Sequence, residues 1–244
     1  MSISKRQEQI LELLQANSFL TVSKLSKLLY TSPSSVRRDL TVLHNKCLIK
    51  RVHGGASVLN ELNQAAPFNS RINRNIANKR KIASIAASLL KDGQIIMLDG
   101  SSTASFLIPH IAKKKDVTLF TNNMITAIKA INYGIKTHCL GGTSVNNSAV
   151  LSGPESYAAV SEIHPDLLFF SSHSIDDDGT ISDPTQEENY LRSLMIANSK
   201  LTVFLCDSEK FNRRSTFSLT NLDKIDYAVF DIEYSNLKTK CKIL

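Results

Sequence analysis

From residue 76 onward, short and mostly apolar runs recur at 95–98, 117–120, 135–140, 167–170, 201–205 and 227–230, separated by stretches with helical spacing. Such runs are short for helices and too continuously apolar for strands with one wet face. They predict strands buried on both sides, with the intervening helices as covers. The expected fold is therefore an α/β domain built on a largely parallel sheet. Ahead of the first run, Ile82, Ile85, Ala86, Leu89 and Leu90 share one helical stripe, and Gly93 is the expected stop.

Ligands of open α/β sheets sit beyond the carboxyl ends of the strands, and here those ends are polar. The first run leads into Asp99-Gly100-Ser101-Ser102-Thr103, the second into Thr121-Asn122-Asn123 and the third into Gly141-Gly142-Thr143. The fourth leads into Ser171-Ser172-His173 and the fifth into Asp207-Ser208-Glu209-Lys210. Hydroxyls and backbone amides hold phosphate well, and one lysine adds a compensating charge. The implied ligand is a small anionic polyol, with Asp99, Ser101, Ser102, Thr103, Thr121, Asn122, Gly141, Gly142 and Lys210 as candidate contacts. Each residue alone has a plainer explanation as a helix cap, a tight turn or a solvated loop. Their recurrence at successive strand ends is what argues for a pocket.

The first sixty residues read differently. Ile10, Leu13 and Leu14 mark one amphipathic helix; Thr21 then caps a second, carrying Val22, Leu25, Leu28 and Leu29. Ser32 followed by Pro33 starts a third, since a serine oxygen accepts from free amides and proline suits the first helical position. At about 100° per residue, Val36, Leu40 and Leu43 fall on one stripe and Ser34, Arg37, Arg38 and Thr41 on the other side. Three helices in this order make a helix-turn-helix unit, and Cys47 to Ala56 reads as a two-stranded wing around a basic turn. Residues 1–60 hold five lysines and four arginines against three acids, a net +6 of the chain's +7. A phosphate-binding module attached to a nearly neutral domain has this distribution. Candidate DNA contacts are Ser34, Ser35, Arg37, Arg38 and Thr41 on the helix and Lys50, Arg51 and His53 on the wing. A protein-docking helix with solvated arginines is the alternative, and the cap, wing and charge asymmetry weigh against it.

Other classes find little support. Cys47, Cys139, Cys206 and Cys241 stand singly and the histidines are scattered, so neither a disulfide framework, a metal site nor a cofactor is expected. No signal-like start or membrane-length apolar run is present, and a reducing cytoplasm is the expected location. A nicotinamide-dependent dehydrogenase would need Gly-x-Gly-x-x-Gly after the first strand and an acid about 20 residues later, where Leu119 and Phe120 stand instead.

Over essentially its whole length the chain resembles the DeoR-type bacterial transcription regulators. Ser35-Val36-Arg37-Arg38-Asp39-Leu40 is similar to that family's Thr-Ile-Arg-Arg-Asp-Leu recognition-helix signature, and Arg51-Val52-His53-Gly54-Gly55-Ala56 resembles its wing. Thr121-Asn122, Gly141-Gly142, Gly153, Asp166, Asp176, Gly179 and Asp207-Ser208-Glu209-Lys210-Phe211 follow in the family's order. The resemblance implies a transcription regulator, usually a repressor, whose C-terminal domain looks like ribose-phosphate isomerase and binds a phosphorylated sugar. Ser101, Ser171, His173 and Ser174 depart from the family by standing where glycines are usual.

The expected organisation is a winged helix-turn-helix over 1–57, a linker over 58–75 and a sugar-phosphate-sensing domain over 76–244. The expected partners are double-stranded operator DNA and a phosphorylated sugar. Because one recognition helix reads only a few base pairs, a dimer or tetramer is expected. The competing reading is a sugar-phosphate isomerase or deaminase with an appended DNA domain, using Asp99, Asp207 or Glu209 to shuttle a proton.

Overall fold

A computed structural model describes residues 4–17, 19–45, 48–52, 54–57, 68–145, 148–234, 237 and 239–244. The chain divides into two compact units, Met1–Arg71 and Ile72–Leu244.

The first unit runs α1 (Lys5–Asn17), β1 (Phe19–Thr21), α2 (Val22–Leu28), α3 (Pro33–Asn45), β2 (Lys50–Val52) and β3 (Gly55–Ser57). Both expected caps form: Thr21 Oγ1 accepts from Lys24 N at 3.2 Å and Ser32 Oγ from Ser35 N at 3.2 Å. The apolar stripes of the three helices meet in one core containing Ile10, Leu14, Leu25, Val36, Leu40 and Leu43. The wing has a strand that the sequence did not reveal, because β1 joins β3, which lies between β1 and β2 in an antiparallel sheet. Leu20 pairs with Ala56 in that sheet, and both are buried in the core. Gly55 is required there, since a Cβ would stand 2.4 Å from the Leu20 carbonyl oxygen.

A short helix, α4 (Phe68–Ile72), spans the point of division. The second unit continues with α5 (Ile76–Ala86), β4 (Ile95–Leu98), α6 (Ile108–Ile111), β5 (Thr118–Thr121), α7 (Met124–Asn132) and β6 (Lys136–Cys139). Next come the hairpin strands β7 (Thr143–Ser144) and β8 (Leu151–Ser152), then α8 (Pro154–Ser161), β9 (Leu167–Phe170), β10 (Ser174–Ile175), β11 (Thr180–Asp183) and α9 (Gln186–Asn198). β12 (Thr202–Cys206), β13 (Phe217–Asn221), β14 (Tyr227–Phe230) and β15 (Lys242–Ile243) complete it. α5 stops at Ala86 and tightens into a 3-10 turn over Ala87–Leu89, earlier than the glycine at 93 suggested; Gly93, at φ +74, serves the turn into β4.

Seven strands form one sheet in the order β15-β14-β12-β9-β4-β5-β6, every neighbouring pair parallel. Alternate residues of the central strands feed opposite cores. Ile96, Leu98, Leu167, Phe169, Val203 and Leu205 pack on one face, while Met97, Leu168, Phe170, Phe204 and Cys206 pack on the other. Burial on both faces explains the near-continuous apolar runs. From β4 the chain moves outward through β5 and β6; from β9 it moves the other way through β12 and β14. The direction of winding therefore reverses between β4 and β9, where an open α/β sheet leaves its crevice.

Candidate functional site

On α3, Val36, Asp39, Leu40 and Leu43 are buried and Ser34, Arg37, Arg38 and Thr41 are exposed, so the helix offers the expected polar face. Among the described residues the side chains of Arg37 and Arg38 form no ion pair or hydrogen bond. They are two free cations on an open helix surface, the arrangement that phosphate and base edges require. Other members of the set are engaged locally. Ser35 is half-buried, and its Oγ lies 3.0 Å from Ser32 Oγ. Thr41 Oγ1 donates to Arg37 O at 2.8 Å and accepts from Arg51 Nη1 at 3.0 Å, which ties the wing to the helix. Lys50 and Arg51 are exposed on β2, and His53 lies outside the described residues.

Asp39 is a structural support that its place in a charged signature concealed. It is 5% exposed and accepts from Arg6 Nε at 2.6 Å and Gln7 Nε2 at 3.1 Å, linking α1 to α3.

In the second unit the polar ends of β4, β9 and β12 meet at the reversal between β4 and β9. Asp99, just after β4, is buried; its Oδ1 accepts from Ser101 N, and its Oδ2 from Ser171 N at 3.3 Å and Arg192 Nε at 3.0 Å. Ser171 Oγ donates to Leu205 O and accepts from Lys210 Nζ at 2.8 Å. Asp99, Ser171 and Lys210 thus join in one hydrogen-bonded chain across β4, β9 and β12. Lys210 also stands 3.5 Å from Asp207. Burial pulls the Asp207 carboxyl upward, but Lys210, Lys79 and a hydrogen bond from Asn75 outweigh it and hold its pKa below the ordinary value.

The hydroxyls after β4 have separate tasks. Ser101 Oγ accepts from Ala104 N, Ser102 O accepts from Ser105 Oγ, and Thr103 Oγ1 is wholly buried without a partner among the described residues. Thr121 Oγ1 accepts from Asn123 N, a local turn. Asn122 Nδ2 donates to Leu151 O at 2.8 Å, while its Oδ1 has no partner among the described residues. Gly141 and Gly142 stand beyond the edge strand β6, two strands from β4, and are exposed. Gly142 has φ +120, and a Cβ there would meet Ser152 O and Ser156 Oγ at 2.7 Å, so hairpin packing already accounts for this glycine. His173 and Ser174 turn away into the antiparallel sheet β10-β11-β13, where His173 N donates to Asp183 and Ser174 Oγ meets Ser182 and Ser215.

Arg192 was not legible as a site residue. It is 5% exposed on α9 and touches Asp99, Asp183 at 2.7 Å and Glu188 at 3.7 Å. Burial opposes its charge, but Asp183, Asp99 and Glu188 together raise its pKa above the ordinary value. Three carboxylates around one guanidinium leave an excess of negative charge. Burial, with Glu188 adding to it, accordingly drives the Asp183 carboxyl upward against the pull of Arg192. A signal was available in the spacing, since Glu188, Leu191, Arg192 and Met195 fall at i, i+3, i+4 and i+7 and put two charges on an apolar stripe.

A larger cavity, about 400 Å³, lies among Ile111, Lys114, Tyr133 and Lys136 beside the amino ends of β5 and β6. It is at the opposite end of the sheet from the polar loops. Among the described residues no helix is long and apolar enough to cross a membrane, and no cluster of metal-ligating side chains occurs.

The DeoR-like helix-turn-helix domain matches residues 6–62, and the DeoR C terminal sensor domain matches residues 74–232. The HTH-type transcriptional regulator GolR of Listeria innocua is 36% identical, covering 93% of this chain and 90% of that protein. The L-fucose operon activator of Haemophilus influenzae is 31% identical over 97% and 96%. Among solved structures, eIF2B delta from Chaetomium thermophilum shares the fold at a TM-score of 0.50 and 15% identity, over 94% of this chain and 72% of that one. Ribose 5-phosphate isomerase A from Methanocaldococcus jannaschii matches at 0.42 and 20% identity, over 56% and 55%.

Proposed function

Because the chain belongs to the DeoR family of DNA-binding transcription regulators, we propose that it represses a carbohydrate-utilisation operon and that a phosphorylated sugar bound beyond the strand ends controls its grip on DNA. The observation that carries the sensing half is Lys210, whose ammonium sits on Ser171 at the reversal of the sheet, where a bound phosphate gains a cation and neighbouring hydroxyls. For release, the sugar phosphate must bind the low-affinity conformation better than the DNA-bound one, since only differential affinity shifts the balance. A coupling of about 1–3 kcal/mol changes operator affinity roughly 5–150-fold, enough for a switch.

On the DNA side, Arg38 and Ser34 face base edges, Arg37 reaches base or phosphate, and Lys50 and Arg51 take the backbone or minor groove, with Ser35 and Thr41 shaping the helix surface. A second copy supplies the other half-site. The reading is of a sensor without turnover, supported by Asp99: its oxygens accept three hydrogen bonds, one from Arg192, which leaves it a poor proton shuttle. The test uses Lys210→Ala and Thr103→Ala. Both are expected to bind operator DNA normally and to lose the response to phosphorylated sugars; a response surviving in both removes the site.

A further inference from the structure

Between the ends of β4 and β5 and helix α9 lies a small cavity of about 10 Å³, bounded by Asp99, Gly100, Asn122, Val150, Glu188 and Arg192. That volume admits about one oxygen-sized group. Its polar lining is short of donors. Asn122 is 4% exposed and its Oδ1 is unpartnered among the described residues, whereas its Nδ2 is spent on Leu151 O. Asp99 and Glu188 present carboxylates, and the guanidinium of Arg192 is spent on Asp99, Asp183, Glu188 and Asn189 Oδ1. Buried acceptors in folded proteins are almost always met by a donor. A phosphate is excluded twice, by size and by the two carboxylates, Asp99 and Glu188, that line the cavity with one already paired cation. A neutral hydroxyl satisfies both conditions.

We propose that this cavity seats the distal hydroxyl of the effector, donating to Asn122 Oδ1, while the phosphate of the same molecule lies toward Lys210. The proposal rests on the sugar-phosphate reading above and adds an orientation and a length to it. Lys210 reaches Ser171 at the end of β9, and Asn122 follows β5, with β4 between them. Two inter-strand spacings are on the order of 10 Å. That span suits an extended chain of five or six carbons with a phosphate at one end and a hydroxyl at the other, and is too long for a three-carbon one.

The experiment is calorimetric titration of the full-length protein with inorganic phosphate, glycerol 3-phosphate, ribitol 5-phosphate, glucitol 6-phosphate and the glucitol compound lacking its distal hydroxyl. The two longer polyol phosphates are expected to bind about tenfold or more tightly than phosphate or glycerol 3-phosphate, and the deoxy compound to lose that gain. Asn122→Val is expected to erase the gain while phosphate binding persists. The deoxy compound tests the same contact in the unaltered protein, so the proposal stays falsifiable if the variant fails to fold. Equal binding by every phosphate compound, or full affinity for the deoxy compound, overturns the subsite and leaves the sugar-phosphate reading standing. No binding by any of them overturns that reading, and the subsite with it.

Discussion

Arg38 and its neighbour Asp39 divide the work of α3, one with its side chain exposed and unpaired among the described residues and the other buried between Arg6 and Gln7. Arg38→Ala is expected to lower specific operator affinity by about 1–3 kcal/mol with an unchanged circular dichroism spectrum; unaltered binding would displace it from the interface. Asp39→Ala removes charge-assisted hydrogen bonds and is expected to cost the module about 1.5–3 kcal/mol in a urea melt. The buried charges of the second unit give a pH signature. Asp183 is pushed up to about 6, chiefly by burial. A carboxyl whose folded pKa exceeds its unfolded value of about 3.9 contributes stability that is present below that value and lost as pH rises. The difference between wild type and Asp183→Asn should therefore shift against wild type between pH 4 and 6, and a pH-independent difference in melting would contradict this. The arginines were legible because they occupy the polar side of an amphipathic helix. Arg192 was hidden because its partner Asp99 is 93 residues away, and only the folded sheet brings them together.

At the scale of elements, visibility followed the source of each element's stability. β4, β9 and β14 match the expected 95–98, 167–170 and 227–230 because burial on both faces writes itself into consecutive apolar residues. β6 starts one residue later and stops one sooner than expected, and its exposed edge carries Lys136, His138 and Cys139, so apolar content marks it weakly. β1, β7, β8 and β10 are two or three residues long, too short to show a period; β1 exists through pairing with the distant β3, and the others through hairpin pairing with their neighbours. The β7–β8 hairpin depends on Gly142, whose backbone and close neighbours resist any side chain. Gly142→Ala is expected to destabilise the second unit by about 1–3 kcal/mol, read as a lowered melting temperature. An unchanged melt would show that the hairpin can shift without cost.

At the scale of the molecule, the strand inventory was legible but the strand order was not. Nothing local states that β9 returns to pair with β4 rather than with β6, yet that return creates the crevice and places Asp99, Ser171 and Lys210 together. The basic N-terminal unit and nearly neutral remainder make salt dependence the natural probe of the DNA function, since each neutralised phosphate steepens the fall of affinity with salt. The most direct test of a sugar-phosphate-controlled regulator is fluorescence anisotropy of labelled DNA from the gene's own upstream region, at two salt concentrations, with and without a panel of phosphorylated sugars. Salt-sensitive, sequence-preferring binding that one sugar phosphate weakens is the expected result. Binding without sequence preference, or specific binding that every phosphorylated sugar leaves unchanged, would contradict it.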